Sequence, residues 1–161
     1  MKLPIEGLTM AMGKAGVVAD DGATTYDIAT AIDFCVDGKA FTKATVSNGA
    51  TPVLDGTTGV AFTAVLPDQA CILVMALDAA GAVSVHQGPI VTVDGDSDEL
   101  DFAAQLPLVD TSLYCPFAYI KYQTAGTSAA AGLKPGTDNW NATGLTSTVV
   151  DLIAYPARPI A

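Results

Sequence analysis

A chain of 161 residues, half of them hydrophobic and 15% charged, is large enough for one domain with a sizeable core. Seventeen acidic residues against seven basic ones give a formal charge of -10, which argues against recognition of a phosphate backbone by clustered Lys and Arg. The longest uncharged run, residues 79–93, is shorter than the ~20 residues of a bilayer-spanning helix and carries Gly81, Gly88 and Pro89, so the surplus apolar surface is expected in a sheet core or between chains.

Residues 1–25 are rich in Gly, Ala and Met with weak periodicity, and read as an extended N-terminal arm. Their opening, MKLPIEGLTM, lacks the apolar stretch of a secretory signal. Residues 26–161 read as the β domain, closing on an extended tail. Ile32, Phe34 and Val36 alternate with Asp33, Cys35 and Asp37, the period of a half-buried strand. Asp37-Gly38 then predicts a tight type I′ turn into a partner strand over 39–45, because that turn needs positive φ at both central residues. A loop is expected over 47–56, around Asn48-Gly49, Pro52 and Asp55-Gly56.

Alternation returns over 60–66. Residues 71–77, CILVMAL, form a continuous apolar run that fits a central strand buried on both faces. The turn at Asp78-Ala79-Ala80-Gly81 leads to a partner strand over 82–87, and Gly88-Pro89 breaks the chain before 90–93. Residues 94–101 form an acidic loop. A strand follows over 116–123, with proline at its tolerated first position. Phe117 and Tyr119 are expected on one face of it and Tyr122 on the other. The Gly, Ala, Ser and Thr of 124–144 read as an excursion around Trp140, and a last strand spans 146–153. Short strands without a βαβ rhythm predict an all-β fold, a single sandwich or barrel-like domain of antiparallel strands.

Candidate chemistry is thin. Gly38-Lys39 lacks the remaining glycine and hydroxyl of a phosphate loop and sits in a hairpin. His86, the one histidine, shares a strand face with Ser84, but no GxSxG elbow exists, and a surface imidazole is the expectation. Residues 94–99 space oxygen ligands as calcium loops do, yet Glu99 stands where such a loop needs glycine. The spacing assigns no catalytic or metal-ligating residue and calls for no cofactor. Trp140, Tyr119 and Tyr122 could form a glycan platform or an interface, with core packing as the competing use. Cys35, Cys71 and Cys115 are widely spaced and odd in number, as buried reduced thiols would be.

Four segments in order carry a resemblance: FCVDGKAFTKA at 34–44, VMALDAAGAVSVHQG at 74–88, YCPFAYIKYQT at 114–124 and NWNATGLTSTVVDLIAYPARP at 139–159. Together they resemble a family of small virion structural proteins of tailed bacteriophages, the head decoration (cement) and head-fibre-like proteins. The resemblance implies a homotrimer made in the host cytoplasm and bound to the major capsid protein on the outside of the virion, where it clamps neighbouring capsomers. No nucleic acid or membrane is expected as a partner. Capsid or subunit contacts are expected in the arm at Leu3, Pro4, Ile5 and Leu8, and in the tail at Tyr155, Arg158 and Ile160. A tail, baseplate or head-fibre module that binds a receptor glycan is the alternative.

Overall fold

In the computed structural model, which describes residues 8–19, 22–93 and 106–153, every regular element is a strand. In chain order these are β1 (Met10–Ala11), β2 (Val17–Ala19), β3 (Thr25–Ile28), β4 (Ile32–Val36), β5 (Lys39–Lys43), β6 (Val46–Ala50), β7 (Gln69–Asp78), β8 (Val83–Gln87), β9 (Val91–Thr92), β10 (Tyr114–Thr124) and β11 (Leu145–Asp151). They form three antiparallel sheets: β1-β4-β5, β2-β3-β6, and β11-β10-β7-β8 with β9 also pairing β7. The all-β architecture is the expected one, and no barrel closes among the described residues.

The first hairpin follows from two residues. Asp37 (φ 48°) and Gly38 (φ 76°) both take positive φ, as the type I′ turn demands, and Val36 pairs directly with Lys39 across it. That register points Ile32, Phe34 and Val36 inward, where all three are buried. Lys39 is therefore an exposed residue at the start of a strand.

The largest sheet is organised by β7. Cys71, Leu73, Met75 and Leu77 point into the main core with Phe34, Phe117, Ile120 and Tyr122, and on the opposite face Ile72, Val74 and Ala76 are buried as well. A strand covered on both faces needs no polar alternation, which is why its sequence is uninterrupted apolar. Each Val, Leu, Ile, Met or Phe side chain among these contributes roughly 1.5–3 kcal/mol on burial. The sheets pack together where β1 and β4 meet β10 and where β2 meets β11. The β2–β11 contact is fixed by Val17 N–H donating to Asp151 Oδ1 at 3.2 Å.

Three local expectations are corrected. Residues 8–19 do not hang off as an arm: β1 pairs with β4, and Ala11, Ala15 and Val17 are buried in the core. Their small side chains fit close between sheets, a role that leaves no strong periodicity to read. Residues 60–66 form no strand, because other groups take their backbone. Gln87 binds both Thr63 N–H and Thr63 C=O at 2.9 Å, Gln69 accepts from Leu66 N–H, and the Thr124 hydroxyl donates to Leu66 C=O. Finally, β10 carries a β-bulge between Pro116 and Ala118, so Phe117 is buried beside Ala118 and no longer shares a face with Tyr119.

Candidate functional site

Strand pairing sets His86 directly opposite Val74 and Ser84 opposite Ala76. Both side chains therefore lie on the face of β7 that looks away from the main core cluster. The segment 54–59 covers them: Asp55 pairs in parallel with Val85, and Gly56 N–H donates to Val85 C=O at 2.7 Å. Gly56 permits this approach, because a Cβ there would stand 2.8 Å from His86 Cε1. The Tyr114 ring meets the imidazole edge-on, with centroids 5.2 Å apart. His86 is thus 1% exposed, and the surface imidazole expected from the sequence is instead buried.

Each ring nitrogen has a hydroxyl partner. Nδ1 lies 3.0 Å from Thr57 Oγ1, and Nε2 lies 2.9 Å from Ser84 Oγ. The Thr57 hydroxyl also donates to Leu108 C=O at 3.2 Å. Each hydroxyl has one proton, and Ser84 Oγ also has Ala76 C=O within reach at 3.3 Å, so both neutral tautomers fit. In the Nδ1–H form, the one that keeps the Thr57–Leu108 bond, Nδ1–H donates to Thr57 and Ser84 donates to Nε2. Burial pushes the imidazole below its usual pKa, with the Asp55 carboxylate acting in the opposite direction.

Asp55 is itself buried and committed to its own loop. Its Oδ1 accepts from Thr57 N–H and Gln87 N–H, each at 3.1 Å, and its Oδ2 accepts from the Thr58 hydroxyl at 2.9 Å. A Ser–His relay needs a carboxylate on the far ring nitrogen to orient the base and stabilise its cation. Here that nitrogen meets the Thr57 hydroxyl, so the arrangement ties a loop to a strand.

Two clefts flank this tie. One, of about 470 Å³, runs between Asp55, Thr58, Gln87, Pro89 and Pro107; the other, of about 480 Å³, has His86 in its lining with Asp110, Leu113 and Tyr114. Thr57 and Leu108 line both clefts. In the first, the Asp55 carboxylate and the Gln87 amide direct their hydrogen bonds to their own chain, which leaves a cleft with little polar reach toward a ligand.

Comparison with protein-family models, curated proteins and solved structures returns no match. The site residues read from the sequence must therefore be judged on placement alone. Tyr122 (0% exposed) and Trp140 (4%) are core residues packed edge to face, with centroids 6.0 Å apart, so neither offers a face to a sugar. Tyr119 is half-buried on the face that Val74 and His86 share. Leu8 is exposed, and its carbonyl accepts from Gly38 N–H at 2.9 Å, which places it beside the first hairpin turn. Leu3, Pro4, Ile5, Tyr155, Arg158 and Ile160 lie outside the described residues, as does the acidic loop at 94–101.

No three His, Cys, Asp or Glu side chains converge among the described residues. The three cysteines are free and buried; burial pushes the Cys71 thiol up to about 12 and the Cys115 thiol up to about 11, so both stay protonated. Sequence reasoning missed the Thr57–His86 tie and the apolar tip next to it. Leu54 pairs with Ala61 across that tip, and Val53, Leu54 and Val60 stand in solvent. Ser84 and His86 alternate visibly on one strand, but Thr57 is 29 residues from His86, and no local pattern connects them.

Proposed function

We propose that the chain is a non-enzymatic virion protein, a decoration (cement) protein that binds the outside of a tailed-bacteriophage head as a homotrimer and braces neighbouring capsomers. The partners are the major capsid protein and further copies of the chain. The observation that carries the reading is where the fold leaves apolar side chains in water. Val60 is 61% exposed on the 53–61 tip beside Val53 and Leu54, and Leu108 (69%) and Leu113 (57%) stand on the neighbouring segment. Apolar residues grouped on projecting loops mark a contact surface, and three weak copies of such a contact become strong when one trimer presents them together. The four ordered segments of resemblance supply the identity of the partner.

The glycan-binding alternative is the weaker reading, since Trp140 and Tyr122 are packed inside.

The test pairs Leu54→Asp with Val60→Asp and measures attachment to purified heads that lack the protein. Both side chains are exposed, so the double variant should keep its melting temperature and lose attachment. Undiminished attachment would overturn the contact surface. In intact virions the chain should be as abundant as a capsid-wide component; a handful of copies per particle would overturn the decoration reading itself.

A further inference from the structure

His86 is the chain's one histidine, and it sits where three pieces of structure meet: β8, the 55–58 loop and the segment leading to β10. We propose that His86 is an acid-operated latch, which when neutral holds the 106–110 segment against the 55–58 loop and when protonated lets that segment open. The latch stands on its own geometry, whatever the exposed surface binds.

In the neutral Nδ1–H form the chain of bonds is complete. Nδ1–H donates to Thr57, Thr57 donates to Leu108 C=O, and Ser84 donates to Nε2. An added proton goes to Nε2, the unprotonated ring nitrogen, and displaces the Ser84 proton that it was accepting. Nε2–H then donates to Ser84 Oγ, and the Ser84 hydroxyl turns to Ala76 C=O, 3.3 Å away. Every hydrogen bond is replaced, but no carboxylate hydrogen-bonds the ring, and the nearby Asp55 charge offsets the cost of burial only in part.

The groups facing the ring explain why. On the loop, Asp55 directs its carboxylate to Thr57 N–H, Gln87 N–H and the Thr58 hydroxyl. Across the cleft, Asp110 accepts from Ser112 N–H at 3.0 Å and Ser112 Oγ at 2.6 Å. Tyr114 at the start of β10 presents a ring edge, and Ser84 and Thr57 present hydroxyls. Neither carboxylate hydrogen-bonds the ring, so water supplies the rest of the solvation.

Water can reach the ring from one side more easily than the other. On one side β8 is fixed to β7 over five paired residues; on the other, residues 106–110 have no regular structure, and the Thr57–Leu108 bond ties them to the loop. Opening that segment hydrates the ring and frees the exposed Leu108 to move.

The sign follows from burial, which holds the native imidazole below its unfolded value. The closed state is fully favoured above about pH 6.5, and that preference is lost as pH falls through the lowered native value.

A lone histidine makes the measurement unambiguous. The ring carbons of labelled protein are followed by NMR from about pH 8 to about pH 5, with hydrogen exchange of peptides covering 106–113 measured at the same points and corrected for intrinsic rates. The ring signal should titrate below about 6.5, and exchange in 106–113 should speed up by at least about threefold through that inflection while β7 stays protected. A Thr57→Val variant, which lacks the bond to Leu108, should exchange fast in 106–113 already at about pH 8. The latch is overturned by an inflection at or above about 6.5, by 106–113 exchange that ignores it, by β7 opening in step with the segment, or by a Thr57→Val protein that behaves as wild type.

Discussion

Tyr122 shows how a single residue can be held in place by shape rather than by its polar atom. Its ring is fully buried against Trp140, yet among the described residues its hydroxyl has no hydrogen-bond partner, and neither does Trp140 Nε1. Burial, with Asp138 and Cys71 adding to it, raises the phenol well above its ordinary pKa, so the group stays neutral. An unpaired buried hydroxyl costs about 1–3 kcal/mol. Tyr122→Phe keeps the ring and removes the orphan, so thermal melting should show stability unchanged or raised by up to ~1 kcal/mol. A loss of more than ~1 kcal/mol would show instead that the hydroxyl makes a structural bond.

At the scale of elements, the hairpin of β4 and β5 depends on its turn. Gly38 at φ 76° has no side chain to strain, whereas alanine there pays the left-handed penalty, and Gly38→Ala should lower stability by about 1–2 kcal/mol in chemical denaturation. An unchanged midpoint would mean that the register is set by core packing and not by the turn. The same hairpin was legible in advance, because both of its signals are local: alternation at period two and Asp-Gly between the runs.

The buried strand β7, its partner β8 and the last strand were legible for similar reasons. Asn48-Gly49 misled for an equally local reason. That pair usually marks a turn, but here Asn48 (φ 54°) sits inside β6 at a register shift, with its N–H donating to Asp27 Oδ1 and Gly49 lying flat beneath the Tyr26 ring. The bulge in β10 was hidden as well, since one inserted residue leaves no mark on composition. The candidate site was half legible. Ser84 and His86 could be placed on one face, but what covers that face comes from residues 55–58 and 108–114, which only the fold brings near. Burial of an imidazole is a tertiary property, and alternation on its own strand does not encode it.

For the whole molecule, the distribution of charge and apolar surface matters more than any pocket. The chain carries a formal charge of -10 and still exposes bulky apolar side chains on its loops. Such a surface repels copies of itself at long range and sticks at short range, so association of free protein should strengthen as salt screens the repulsion. Light scattering across a salt series would check this: a mass that falls with added salt would mean that ion pairs, not apolar contacts, join the subunits.

The order in which the chain is made gives β7 a further significance. Residues 70–77 contain no charge, glycine or proline, and one edge of the strand stays open until β10 has been synthesised. A nascent or truncated chain therefore displays a naked, sticky template during the interval in which β8 and β9 protect only its other edge. A fragment ending at residue 93 should sediment as aggregate at concentrations where the full chain stays in the supernatant, and a soluble, monomeric fragment would sink the idea. On this account residues 114–124 are the protein's own chaperone for its central strand.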